Sequence, residues 1–526
     1  MNAENTVGTT TGATSAAPET VHALIEHQAR LQPHAVYARA TENERHLGYG
    51  ELARGCRNVA AVLRSHGARP GDTVSVVMPN GLLTLRLLLG AMHGGFCVNP
   101  VNLLSQPEQM RYVLAHSDCR VVCVAPEWEA RVRDVVQAFD RPVAVIVADP
   151  EGDALPGEMD GTDDADDTTE SAVPPPAPGD VALLMYTSGT TGMPKGVMLT
   201  QRNLAANAHA ISAEHELRPS DRVLAVLPLY HINAFTVTML APLAHGGSLA
   251  MPPKFSAGRF WAQATHTQCS WINVVPTMVS YLLEGPKPPL AQTVAIRFCR
   301  SASAALPPEH HRAFEQMFGI GIVETMGLTE TAAPSFSNPM DPAARKLGSV
   351  GRASGCMAGV VDAQLAAVPD GTTGELVIRG PNVMLGYYKN DEATRASFTP
   401  DGWLRTGDLG HRDEDGFFFV TGRIKELIIK GGENIAPREI DEALLQHPAV
   451  LEAAAVGVPD RHYGQEIGVC IVLREGFACT EEELRAFSAT ALGRYKAPGH
   501  YRFVTDLPRG PSGKVQRLKL LPLFQA

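Results

Sequence analysis

The chain has 526 residues, 44% of them hydrophobic and 19% charged, which is too long for one ordinary core and apolar enough to fill at least two domains. Its net charge of −11 is local, because residues 151–180 hold ten Asp or Glu and no Lys or Arg; the remainder is near neutral and lacks the basic footprint of a nucleic-acid binder. Nine cysteines with no C-x-x-C pair argue against a disulfide or metal scaffold and for reduced thiols in a cytoplasmic protein, and the absence of a leader-like segment or a long uncharged apolar run argues against secretion and membrane spanning.

Residues 1–18 are rich in Thr, Ala and Gly and read as a disordered tail. From there, helical and strand patterns alternate. Leu52, Cys56, Val59 and Leu63 share one helical face, Val74–Met78 reads as a buried strand, and a second helix is predicted from about Gly81 to Met92. Such alternation predicts an α/β fold in which parallel sheets are covered by helices. The acidic segment 151–180 contains Pro174-Pro175-Pro176 and reads as a solvated loop. Val181–Met185 then reads as a buried strand whose carboxyl end delivers the next loop to a ligand-collecting edge.

That loop, Tyr186-Thr187-Ser188-Gly189-Thr190-Thr191-Gly192-Met193-Pro194-Lys195-Gly196, combines hydroxyls, glycines and one lysine. Glycines let backbone N–H groups approach an anion, Ser and Thr hydroxyls add donors, and Lys195 adds a mobile charge, so the run is suited to phosphate. Its spacing is not that of a Walker loop. Taken alone, it also fits a plain connection.

After Gly422 the texture changes. Residues 437–526 predict a helix, two strands, a helix opened by a Thr480/Glu483 capping box, and a last strand ending at Asp506. The expected division is a large N-terminal domain over 19–423 and a small α+β domain over 424–526.

Three further segments fall in order: Thr325-Met326-Gly327-Leu328-Thr329-Glu330, then Trp403-Leu404-Arg405-Thr406-Gly407-Asp408-Leu409-Gly410 leading to Gly422-Arg423, then Pro508-Arg509-Gly510-Pro511-Ser512-Gly513-Lys514. With the phosphate loop, they make the chain resemble the adenylate-forming superfamily of acyl-CoA synthetases, luciferases and peptide-synthetase adenylation domains, from about Val21 to the C-terminus. The resemblance implies an ATP-dependent acid–CoA ligase that forms an acyl-adenylate and then a thioester, with a small-molecule carboxylic acid, ATP and coenzyme A as substrates and Mg²⁺ as cofactor.

The implied roles match the chemistry. A carboxylate attacking an α-phosphate brings two anions together, so neutralising charge is the central problem. By resemblance Lys514 supplies it from the mobile small domain, turning about a hinge at Lys425. Thr187, Ser188, Gly189, Thr190, Thr191, Gly192, Lys195, Ser303 and Thr329 would contact ATP. Glu330 would hold Mg²⁺, which favours hard oxygen ligands. Asp408 would accept both ribose hydroxyls, with Arg423 supporting the sugar from the other side. Lys430, Gly431 and Gly432 match the loop that meets CoA after the domain turns. Most relatives have tyrosine where this chain has Met326, which covers a base face less rigidly.

For the acid, His231 matches a gate near the carboxylate. Arg300-Ser301-Ala302-Ser303-Ala304 resembles the corresponding turn of oxalate–CoA ligases, and Phe255–Trp261 resembles carnitine-type ligases. A second negative group on the substrate would require a cation, since an unpaired buried charge is costly. Arg300, Lys254 and His231 are the candidates, with the alternative that Arg300 ties its turn to a core carboxylate. The expected substrate is a small dianionic acid of the oxalate or sulfoacetate type. The alternatives are a fatty or aromatic acid, a stand-alone domain loading a carrier protein, and a nucleotide-holding relative without catalysis.

Overall fold

The computed structural model describes residues 17–158, 174–187, 193–509 and 515–524. Short, fully buried strands dictate its architecture, since a strand buried on both faces must have helices on either side. The strands Thr73–Val77, Cys97–Pro100 and Val121–Val124 are buried at every position. They lie in a seven-stranded sheet, where Val181–Thr187 runs parallel to Cys97–Pro100 and Lys195–Thr200 returns antiparallel to it.

A second sheet of nine strands has a parallel centre made by Val36–Ala40, Ser248–Met251, Arg222–Leu224, Trp271–Val274, Phe298–Ser301 and Ile322–Leu328. The helix Leu82–His93 is buried all round, as expected for one enclosed by other layers. A single apolar cluster reaches from Val21 to Leu404 and joins both sheets.

Two smaller sheets follow. Met357–Val361, Gly374–Arg379, Leu404–Arg412 and Phe418–Arg423 form a four-stranded antiparallel sheet. The last five strands, Ile428–Lys430, Glu433–Ile435, Val450–Asp460, Gly464–Leu473 and His500–Phe503, pair only among themselves. Helices Pro437–Leu445 and Glu481–Lys496 accompany them, and the second opens with the Thr480/Glu483 capping box that the sequence predicts. The α/β class, the helix-covered parallel sheets and the α+β C-terminal part agree with the sequence reading. Among the described residues, no helix is long and apolar enough to cross a membrane. The 1–18 tail expectation rests mostly on residues outside the described ones, as does the middle of the acidic segment.

One turn carries unusual local cost. After Ile322–Leu328 the chain turns at Thr329–Thr331 and continues through Ala332 and Ala333, both in the left-handed region at φ 55° and 95°. Such conformations persist only where the surroundings enforce them. Here Asn207, on the helix Gln201–Glu214, donates its side-chain amide to the carbonyls of Thr331, Ala332 and Pro334. Gly327 allows the returning strand to close, because a Cβ there would lie 1.7 Å from the Ala333 carbonyl oxygen. Replacing Asn207 by Ala strands buried carbonyls and is expected to cost about 2–3 kcal/mol; urea unfolding followed by tryptophan fluorescence would measure it.

Candidate active site

The central strands of the nine-stranded sheet are parallel, so the segments leaving their carboxyl ends emerge on one edge, where ligands collect in open α/β sheets. Four expected site residues lie on such segments: His231 after Arg222–Leu224, Lys254 after Ser248–Met251, Ser303 after Phe298–Ser301, and Glu330 after Ile322–Leu328. His231 packs edge-on against Tyr230 and precedes a wide i→i+5 helix, Asn233–Leu240, buried throughout. Such helices are rare and concentrate at functional sites. Lys254 is exposed and forms no ion pair with a described residue.

Arg300 occupies the most unusual environment. It is 1% exposed, and one terminal nitrogen donates to the amide oxygens of Asn233 (2.7 Å) and Asn273 (2.8 Å). Its Nε has no partner, and no described carboxylate pairs with it. The alternative of a core carboxylate therefore fails. Burial pushes its pKa down to about 9, which still leaves the guanidinium charged at neutral pH. His215 nearby is held neutral, its pKa lowered to about 3 by burial and then by Arg300. Asn233 also donates to Ser303 Oγ at 3.2 Å, joining the arginine to the predicted small-residue turn, where Ser303 takes φ 76°.

On the other side of the edge, Asp408 and Arg423 face each other across adjacent strands. Arg423 grips both carboxylate oxygens, Nε to Oδ1 at 2.6 Å and Nη2 to Oδ2 at 3.3 Å. Asp408 is 4% exposed. Arg423 therefore braces the carboxylate directly instead of standing apart from it, and its pKa rises chiefly through Asp408, with Glu426 and Glu330 adding to the effect.

Glu330 sits in the strained turn, and its Oε1 accepts the Tyr387 hydroxyl at 2.8 Å. Oε2 has no partner among the described residues, so a hard oxygen is open to a cation such as Mg²⁺. The Lys195 ammonium rests over the Tyr387 ring, 4.2 Å from its centroid. Tyr387 escaped the sequence reading; the Gly386-Tyr387-Tyr388 run was the available sign. Met326 packs partly into the apolar cluster around Phe336 and Phe418.

The CoA-loop expectation changes in part. Lys430 is 5% exposed, its ammonium bound to Glu466 Oε1 at 2.5 Å and to the Tyr495 carbonyl at 2.9 Å. It anchors the turn from inside and cannot also reach a ligand outside it. Gly431 and Gly432, at φ 57° and 88°, form the exposed part of the turn. Half-exposed Tyr463 and Tyr495 stand beside Gly431. Lys425 is exposed in the Ile424–Glu426 turn between the last two sheets. Ser188, Gly189, Thr190, Thr191, Gly192 and Lys514 lie outside the described residues. Their flanks do not: Thr187 and Lys195 are cross-strand partners, and Arg509 pairs with Glu452.

Residues 25–388 match the AMP-binding enzyme family, and residues 439–514 match the AMP-binding enzyme C-terminal domain. The chain belongs to the AMP-binding enzymes. It is 56% identical to a sulfoacetate–CoA ligase of Cupriavidus necator over 96% of this chain and 97% of that one. An oxalate–CoA ligase of Arabidopsis thaliana is 34% identical, with 95% and 97% covered. ATP-bound MatB of Rhodopseudomonas palustris superposes with a TM-score of 0.88 at 29% identity, over 96% of this chain and 99% of that one. The same protein without ligand gives 0.79 at the same identity and coverage. This AMP-binding enzyme is an AMP-forming acid–CoA ligase, with ATP and CoA as substrates.

Asp408→Asn keeps the side chain's shape but removes its charge and leaves Arg423 without a counter-ion. The expected outcome is a rise of about tenfold or more in KM for ATP, corresponding to loss of one charge-assisted hydrogen bond. Acid-dependent exchange of labelled pyrophosphate into ATP would measure it.

Proposed function

We propose that this ligase activates a short dianionic acid of the sulfoacetate or oxalate type, and that Arg300 receives the negative group farther from the reacting carboxylate. The observation carrying this reading is a fully buried guanidinium with no acidic partner. Burial lowers its pKa, and its hydrogen bonds run only to neutral amides, which bring no opposing charge. A fixed cation so placed is suited to a ligand that brings the missing charge, and two relatives named for dianionic acids support the same conclusion.

The first half-reaction follows from the residues around that pocket. The substrate carboxylate attacks the α-phosphorus of ATP; the P–O bond to the β-phosphate breaks, and pyrophosphate leaves with the electron pair. Thr187, the run Ser188 to Gly192 and Lys195 cradle the phosphates, with Thr329 and Ser303 contributing hydroxyls. Asp408, braced by Arg423, accepts the ribose hydroxyls. Lys514 is the mobile cation that follows charge from carboxylate to phosphate. Mg²⁺, held through Glu330, would draw charge from the phosphate oxygens.

In the second half-reaction the CoA thiolate attacks the acyl carbonyl and AMP departs. The small domain turns about Lys425, withdrawing Lys514 and presenting the Gly431–Gly432 turn to the incoming thiol. His231, two residues before the asparagine that holds Arg300, serves as the gate near the substrate carboxylate. Lys254, exposed on a neighbouring segment, has its part in attracting the anion before it enters.

Arg300→Met keeps the volume and removes the charge. For sulfoacetate or oxalate, kcat/KM for pyrophosphate exchange should fall by about two orders of magnitude or more, the size expected for losing a buried ionic contact. Propionate should lose far less. Equal loss for all acids would refute the substrate assignment. Lys514→Ala should abolish exchange with every acid while leaving ATP binding measurable by calorimetry; surviving exchange would refute the adenylation mechanism. Thioester formation with free CoA separates this ligase from a carrier-loading domain.

A further inference from the structure

We propose that Tyr387 is a positioning residue that keeps the cation of the phosphate loop apart from the carboxylate assigned to Mg²⁺, holding each in the geometry ATP requires. The inference rests on the roles given above to Lys195 and Glu330. One aromatic ring touches both groups. Its face carries the Lys195 ammonium at 4.2 Å from the centroid, and its hydroxyl donates to Glu330 Oε1 at 2.8 Å.

The backbone fixes the ring in that position. Gly386–Tyr387 adds a short antiparallel strand beside Lys195–Thr200, with Tyr387 opposite Val197, and the next residue, Tyr388, donates its N–H to the Gly196 carbonyl at 2.8 Å. The tyrosine is therefore registered against the strand that begins with the lysine it supports. Tyr387 itself is 6% exposed, which holds its ring in place between the two groups.

Two consequences follow from charge and geometry. Without the ring, the lysine and the glutamate, neither of them in a salt bridge with a described residue, would meet as an ion pair, each occupying the group that ATP and its metal need. Without the hydroxyl, the ring would still separate them, but Glu330 would lose the bond that turns its other oxygen outward. Carboxylates that bind metals are themselves held by hydrogen bonds, and loss of such a bond typically weakens metal affinity by 10–100-fold.

The test uses the full-length enzyme with ATP and no acid substrate, so that binding is read without turnover. Manganese serves as the probe, followed by electron paramagnetic resonance. Tyr387→Phe should weaken manganese binding in the presence of ATP by about tenfold, while KM for ATP at saturating metal stays within about twofold of the parent. Tyr387→Leu should weaken manganese equally and also raise KM for ATP, with kcat less affected. That KM excess over the parent should shrink as salt screens the new Lys195–Glu330 pair.

Glu330→Gln provides the reference. If it weakens manganese and Tyr387→Phe does not, the role of Tyr387 is refuted and the assignment of Glu330 stands. If Glu330→Gln leaves manganese unchanged, the assignment of Glu330 fails and the proposal falls with it. A uniform loss of kcat in both tyrosine variants, with lowered melting temperature and unchanged manganese affinity, would show a structural role only and also overturn it.

Discussion

The buried guanidinium of Arg300 is the constraint around which the proposed acid-binding side is arranged. A charge without an acidic partner is tolerated only where its desolvation is offset by other groups. The chain does this with two asparagines from different elements, Asn233 at the start of the wide helix and Asn273 on the adjacent strand. Asn233 is shared further: its amide nitrogen bonds Ser303, and its oxygen accepts from Asn273 as well as Arg300. The cation, the helix carrying His231 at its entrance and the turn after Phe298–Ser301 therefore move as one unit. Any shift of the turn would reach the guanidinium through a single asparagine.

The nucleotide side uses a different strategy, in which each carboxylate is held by a fixed protein partner before ligand arrives. Asp408 is fixed by Arg423 through two contacts, and Glu330 is fixed by a phenol and by a turn that Asn207 enforces. Pairing lowers the reorganisation needed when ATP binds, the general basis of electrostatic preorganisation. The contrast is chemically sensible. Under the proposed assignments, ribose and metal contacts recur in every turnover, whereas the acid side gains selectivity from a charge that only the right substrate completes.

Much of this was legible in sequence, and the remainder was not for identifiable reasons. Local patterns gave the helix holding Leu52, Cys56, Val59 and Leu63, the strand before the phosphate loop, and the Thr480/Glu483 cap, because each depends on neighbours within a few residues. Motif order gave Asp408 and Arg423, yet not that they touch, since the bond spans a cross-strand register. Arg300 was marked as a cation of interest, but its isolation depends on Asn233, 67 positions away, and on Asn273. Lys430 was assigned to CoA because its loop resembles the one that meets CoA in relatives. Glu466, from another strand, turns it inward. Tyr387 had no motif to announce it, and only the placement of its strand beside Lys195–Thr200 reveals what its ring touches.

The ribose grip and the proposed domain rotation are mechanically adjacent. The strand Phe418–Arg423 ends at the residue that braces Asp408, and the next turn, Ile424–Glu426, contains the hinge position Lys425. Arg438, on the first helix of the small domain, donates to the Val420 carbonyl at 2.6 Å, so the helix is tied to the strand that carries the grip. Among the described residues the lobes also meet at a groove of about 320 Å³ with Ser280, Tyr281 and Glu284 on one wall and Glu452, Asp506 and Arg509 on the other. A polar, open contact of this kind costs little to separate, because its groups can exchange partners with water. A large apolar seam would have locked the lobes together. With a polar one, the balance between the two proposed arrangements rests on what occupies the site.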